Sequence, residues 1–293
     1  MMRVTVGSAS QGALAGLQST ASRLAGLQSQ LSSGRQITKP SDSPSGTTAA
    51  LQLRGELKRM TQYQGNASDA LGWLTTVDST LSGANTEVQK VRTLVLRGMN
   101  TGSADPNSTQ ALAQQVDQAR ASLLALANAS YLGRPVFGGT TAGSLAFDSS
   151  GTYVGDTGVV SRTVGPNTSI DLNTPGTATF GPDGNNLFDL LSTVSKDLKT
   201  NPSALGGDLA NLDAAQTALS SSQSLAGAKY QRIQTVQTTA GTNSIQLQSQ
   251  LSDLQDIDLA NMAIQVTTAD AAYQAALATT AKIQQNSLLD FLR

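Results

Sequence analysis

The sequence predicts a mainly α fold: a nested, antiparallel, long-helix coiled-coil rod with a small inserted β domain. Three observations carry that expectation. Apolar residues recur at three- and four-residue spacing over most of the chain, as in helices that bury one narrow face against another helix. One stretch rich in Gly, Thr, Val and Pro interrupts the helices in the middle. The order of segments is nearly palindromic, so the simplest folding brings both ends together.

The first seam runs through Leu14, Leu17, Ala21, Leu24, Gln28 and Leu31. Gly12, Gly16 and Gly26 lie inside it, each costing about 1 kcal/mol relative to Ala, so this helix is weak by itself. The stretch "LSSGRQITKPSDSPSG", from Leu31 to Gly46, then breaks the pattern. Glycine suits the residue just past a helix end, and proline cannot continue a helix. Gly34, Pro40, Asp42 and Pro44 are accordingly read as an elbow loop.

Beyond the break, helical periodicity holds from about Thr47 to Met99 through Leu57, Leu71, Leu74, Val77, Leu81, Val88 and Val95. "NTGSADPNS" is a turn, and Leu112, Val116, Ala119, Leu123 and Leu126 resume the seam up to about Ser130. Two long helices joined so briefly predict an antiparallel hairpin. The character changes at "YLGRPVFGGTTAG", and "TYVG", "VVSRTVG" and "TSIDL" read as short strands of a β insertion over 135–184. Helix returns in "NLFDLLSTVSKDLKT", breaks at "NPSALGG" and continues from about Asp208 to Leu254. The last helix places Leu259, Met262, Val266, Ala269, Tyr273, Ala276 and Ile283 on one face and ends in Leu288, Leu289, Phe291 and Leu292.

Three expected regions follow: terminal helices in 1–45 and 256–293, a helical rod in 46–134 and 185–255, and the β insertion in 135–184. Leu14, Leu17, Leu24, Leu31, Met262, Val266, Tyr273, Ile283, Leu288, Leu289 and Phe291 form the expected assembly seam. Four leucines and a set of small side chains bury little against the entropy of ordering such ends. The ends are therefore expected to be disordered in the monomer and to fold on packing among copies.

Composition excludes several chemistries. The 293 residues contain no cysteine and no histidine, which rules out disulfides, thiolate nucleophiles, Ser-His-Asp triads and imidazole bases. With 19 basic against 20 acidic residues, there is no basic surplus for nucleic acid. No apolar run approaches the roughly 18 to 20 residues of a membrane span. The N-terminus lacks the order of a secretory signal, so export, if any, is expected by another route. No cofactor or metal is expected. Asp253, Asp256 and Asp258 in "SDLQDIDLAN" do not follow the calcium-loop spacing and read as a solvated helix junction, with Asp256 or Asp258 as an N-cap. Asp148, Asp156 and Asp171 are the acids an enzyme hidden in the insertion would use, and a short Gly/Thr-rich segment makes a poor pocket.

The weak N-terminal helix, the "LSSGRQITKPSDSPSG" loop, "NASDALGWLTTVDSTL" and the closing "AAYQAALATTAKIQQNSLLDFL" together resemble the flagellin family of bacterial axial proteins. The opening "MRVT", "VFGGT" at 136–140 and the "SLLDFL" ending are similar to its junction members more than to its filament members. Ser43 departs from the family loop, which often carries a second acid there. The resemblance implies a flagellin-like fold with paired terminal helices as an inner axial core, the rod as the next layer and the β region outward. The elbow would join two layers of a tube. It further implies a structural, non-enzymatic adaptor between a hook-side hook-associated protein and the flagellin filament. Its implied partners are identical subunits in a ring, those two neighbours, and a flagellar export chaperone near the C-terminus. Neither nucleic acid nor membrane is among them. Export through the flagellar type III apparatus would place it extracellularly, on the bacterial flagellum. The alternatives are a filament flagellin and a cytoplasmic signalling coiled coil; the lack of a spanning segment and the β insertion argue against the second.

Overall fold

The structure is a computed structural model and describes residues 6–100 and 106–291, with side chains described for 11–100 and 106–282. Helices dominate: α1 (Val6–Ser33), α2 (Pro44–Asn100), α3 (Pro106–Ala127), α4 (Gly176–Phe180), α5 (Leu187–Thr200), α6 (Leu205–Gln255) and α7 (Leu259–Phe291). Two antiparallel hairpins supply the strands, β1 (Ser130–Tyr131) with β2 (Arg134–Pro135) and β3 (Ser161–Gly165) with β4 (Thr168–Asp171). This is the mainly α fold with a small strand region that the periodicity predicts. Among the described residues no helix is long and apolar enough to cross a membrane. The chain divides into two compact units, residues 1–59 with 244–293 and residues 60–243.

In the second unit the heptad pattern is followed closely. On α2 Ala67, Ala70, Leu74, Val77, Leu81, Ala84, Val88, Val91 and Val95 form a buried line with alternating steps of three and four, and Trp73 and Leu94 are buried beside it. On α6 Leu205, Leu212, Leu219, Ala226 and Ile233 recur every seventh residue and are buried in the same core. A 3.5-residue repeat keeps one seam turned toward a partner helix, which is why such long helices hold together. Polar pairs mark the antiparallel register: Arg92 Nε donates to Asp213 Oδ1 at 2.7 Å, Gln223 Nε2 to Asp78 Oδ1 at 3.0 Å, and Gln237 Nε2 to Ser68 Oγ at 3.0 Å. Val116 and Leu123 of α3 and Leu191 and Leu198 of α5 complete the core.

The β region is built on an aromatic nucleus. Phe147 meets Tyr153, Phe180 and Phe188 edge-on with ring centroids 5.1 to 5.5 Å apart, and Phe137 meets Phe180 at 5.2 Å. Edge-to-face geometry of this kind adds to the burial of the rings themselves. Asn128, just past α3, holds the segment in place. Its Oδ1 accepts from the N–H groups of Ala146 and Phe147, and its Nδ2 donates to the Phe147 carbonyl. Arg120 of α3 donates to the carbonyls of Phe188 and Ser150.

Several local expectations are corrected. Helix α3 stops at Ala127, not near Ser130, because β1 and β2 form a two-residue hairpin there. Leu132 and Gly133 occupy its turn with φ of 50° and 78°, the backbone a type I′ turn requires. "VVSRTVG" and "TSIDL" do contain β3 and β4, whereas "TYVG" makes only an isolated bridge between Phe147 and Tyr153. The break at "NPSALGG" is a single 3-10 turn, Pro202–Ala204, and α6 starts at Leu205 and runs through Gly206 and Gly207.

Candidate assembly site

In the first unit α1 packs on α7. Leu24 and Leu27 from one helix and Met262 and Ala269 from the other are buried, with Leu31, Ile257, Val266 and Tyr273 packed against them. On α7 Met262, Val266, Ala269 and Tyr273 turn inward on the expected line, whereas Leu259, expected on the same face, is exposed. On α1 the phase differs by half a heptad. Leu17, Leu24 and Leu31 lie inward as expected, but the intervening inward position is Leu27, and Gln28 is exposed. Leu14 is 40% exposed and lies off the seam. Both phases share the same three leucines, so only the intervening residue distinguishes them, and an apolar Leu27 wins over an amide. Ile283, Leu288, Leu289 and Phe291 lie beyond the residues whose side chains are described.

The seam is thin, and the same helices leave large apolar side chains outside it. Leu259 and Ile264 are each 64% exposed and Leu277 is 43% exposed. An open groove of about 180 Å³ runs beside Thr20, Arg23, Ile264, Thr268 and Ala272.

The elbow has a defined build. Gly34 ends α1 with φ of 67°, a left-handed conformation that glycine adopts without steric cost. The Gly34 carbonyl accepts from the Ile257 N–H at 3.2 Å, and the Gln36 N–H donates to the Gln255 carbonyl at 2.7 Å. Arg35 and Asp256 form an isolated antiparallel bridge. The connector after α1 is thus stitched to the connector before α7. Arg54 Nη2 donates to Gln255 Oε1 at 2.9 Å, and Gln30 Nε2 to the Gln36 carbonyl at 2.9 Å.

Asp42 closes the loop. Its Oδ2 accepts from Thr38 Oγ1 at 2.8 Å, Lys39 N at 2.9 Å and Thr38 N at 3.0 Å. The Thr38 hydroxyl, then the Lys39 and Thr38 N–H groups, hold the carboxyl below its ordinary value. Ser43 caps α2, with Oγ accepting from the Gly46 N–H at 3.1 Å. Pro44 then stands at the first helical position, where the missing N–H costs nothing. Pro40 is exposed in the loop. A Cβ at Gly46 would crowd the Ile37 Cδ1 and the capping Ser43 Oγ, at 2.6 and 2.7 Å.

The second connector is the acidic "SDLQDIDLAN". Asp258 Oδ1 accepts from Ala260 N at 3.0 Å and Asn261 N at 3.2 Å, so Asp258 is the N-cap of α7. Ser252 Oγ donates to Asp256 Oδ2. Among the described residues no three acids converge as metal ligands. Sequence reasoning missed Arg54, Gln255 and Ile257, although an apolar Ile257 between two acids was a readable signal. In the β region Asp148 accepts from Ser150 and Thr152, and Asp156 from Thr140 and Gly158, so both carboxylates fasten their own turns.

Long heptad helices in one unit and a two-helix seam in the other place the chain among helical coiled-coil proteins. Residues 5–142 match the bacterial flagellin N-terminal helical region, and residues 209–292 match the bacterial flagellin C-terminal helical region. The chain belongs to the bacterial flagellin family. It is similar to flagellar hook-associated protein 3 of Escherichia coli (strain K12), 25% identical over 279 residues that cover 84% of this chain and 87% of that protein. Among solved structures, one of a flagellar hook-associated protein from Vibrio parahaemolyticus aligns with a TM-score of 0.68 at 20% identity, over 73% of this chain and 100% of that one. Bacillus cereus FlgL aligns with a TM-score of 0.62 at 22% identity, over 69% of this chain and 99% of that one. At those identities the structural likeness speaks to the fold.

Proposed function

We propose that this chain is a structural, non-enzymatic axial protein of the bacterial flagellum that joins a hook-side hook-associated protein to the flagellin filament. The similarity to flagellar hook-associated protein 3 supports the junction role. The observation that carries the reading is the terminal helix pair, which buries a narrow seam while Leu14, Ile264 and Leu277 stay exposed. Such a pair completes its apolar packing on other copies. In this reading residues 1–45 and 256–293 form the axial core of a ring of identical subunits. Residues 46–134 and 185–255 form the next layer, and 135–184 face outward. The elbow of Gly34, Pro40, Asp42 and Pro44 carries the chain from one layer to the next. The subunit leaves the cell unfolded through the flagellar type III apparatus after a chaperone releases its C-terminal region. A chain with no cysteine suits that passage, since no disulfide can lock it.

Electron microscopy of cells lacking the gene tests the proposal. Hooks without filaments, with flagellin shed into the medium, are the expected result. Filaments that remain attached to hooks would overturn the junction role, and loss of the filament protein itself would identify a filament flagellin.

A further inference from the structure

The apolar cluster of the terminal pair stops well short of the tips. It spans Leu24 to Leu31 on α1 and Ile257 to Tyr273 on α7. Among the described residues none of 11–23 is buried, and past Tyr273 the only buried side chain is the polar Thr280. The gain from pairing the two helices is therefore concentrated at the elbow end.

That end is also tied by residues that lie outside both helices. The Ile257 N–H donates to the Gly34 carbonyl, the Gln36 N–H donates to the Gln255 carbonyl, and Arg54 reaches Gln255 from α2. Asp42 and Ser43 fix the loop through contacts confined to 38–46. None of these bonds needs α1 or α7 to be helical.

Without the tie, a first contact between α1 and α7 would have to close a loop made of the whole intervening chain. Held side by side at the elbow, each further contact closes only a few residues. Nucleation is the costly step of helix formation and propagation the cheap one, so growth from a tied end is favoured over a start at a free tip. Gly12, Gly16 and Gly26 weaken α1 along its length. A Cβ at any of them would meet nothing within 4 Å, so no close packing of the described chain requires them. Each lowers the helix population about fivefold relative to alanine.

We infer that the elbow is a preformed clamp from which the terminal seam zips outward, α1 and α7 closing together from Leu31 and Ile257 toward their tips. This order is a property of the single chain and holds whether or not the chain joins hook to filament. In the assembly reading above, it leaves the tips free until a neighbouring copy is in place.

Amide exchange labelled on the millisecond scale, on the dilute full-length chain, tests the order. Amides in 24–33 and 262–268 should exchange at least about tenfold more slowly than those in 11–20 and 276–282. Equal exchange along both helices, or slower exchange at the tips, would overturn the clamp. Two substitutions into open space give the direction of growth. Gly26→Ala, near the clamp, should slow exchange about fivefold both in 24–33 and in 11–20, because closure near the elbow precedes closure beyond it. Gly16→Ala should slow 11–20 alone, and an equal effect on 24–33 would mean that the tips nucleate. Gly34→Val strains the backbone at a φ of 67° without a clash. It should bring 24–33 and 262–268 to the rate of the tips while Val77 and Leu81 keep theirs. Parental rates in that variant would show that the clamp is dispensable. Filaments that stay attached after deletion of the whole gene would sink the junction role and leave the order of closure untouched.

Discussion

The backbone N–H of Gln36 donates to the carbonyl of Gln255 across 2.7 Å, joining the loop after α1 to the last residue of α6. Gln255 also accepts from Arg54 through its side chain and is buried. One glutamine therefore ties three segments of its unit. Gln255→Leu keeps the backbone bond but leaves the exposed Arg54 guanidinium to solvent, a loss of about 0.5 to 1.5 kcal/mol. Filaments of that variant should detach at lower shear, counted by electron microscopy; retention equal to the parent would show that the tie carries no load.

Amide exchange on the dilute chain tests the coupling of folding to assembly. Amides in 11–30 and 262–282 should exchange at least about a thousandfold faster than those of Val77, Leu81 and Val88 in the heptad core. Equal protection would mean that the terminal pair is stable without neighbours.

The Asp42 loop should depend on pH in one direction. Its folded-state carboxyl is lowered from 3.8, chiefly by the Thr38 hydroxyl and then by the Lys39 and Thr38 N–H groups. Stability from a lowered acid is present above the unfolded value and is lost as pH falls through the folded one. The Thr38 and Lys39 amide resonances should thus keep their bonded positions at neutral pH and shift only below about 3.8. Asp42→Asn should show no such titration.

Asp208 has the opposite sign. It is buried near the start of α6, its Oδ2 has no hydrogen-bond partner among the described residues, and burial and then Asp197 raise its carboxyl above the ordinary value. A raised acid stabilises the fold at low pH and loses that contribution as pH rises through its folded value. Asp208→Asn should raise stability at neutral pH by on the order of 1 kcal/mol, with the gain vanishing below about pH 4, as read by denaturant titration at both values.

Gly151 is irreplaceable for two reasons. Its φ is 95°, and a Cβ there would lie 2.6 Å from Phe188 Cβ in the aromatic nucleus. Gly151→Ala should cost about 2 to 3 kcal/mol and expose the β region to protease before the helices yield.

Much of this was legible in the residues. The long helices were, because Leu74, Val77, Leu81 and Val88 keep a strict heptad, and because Leu212, Leu219 and Ala226 keep its partner. The phase of α1 was harder, since it turned on one residue, Leu27 against Gln28. Pairing between the two connectors was hidden, because backbone hydrogen bonds such as Gln36 to Gln255 leave no side-chain signature. The tight β1–β2 turn was missed for a different reason: Leu132 is the wrong residue for its backbone, so turn chemistry gave no signal there.

The five ion pairs among the described residues all involve partly or largely exposed side chains, and charged residues make up only 13% of the sequence. The chain's surface therefore presents mostly amide, hydroxyl and apolar groups, whose contacts dissolved salt screens little. A fold held by such contacts keeps its grip from fresh water to brine.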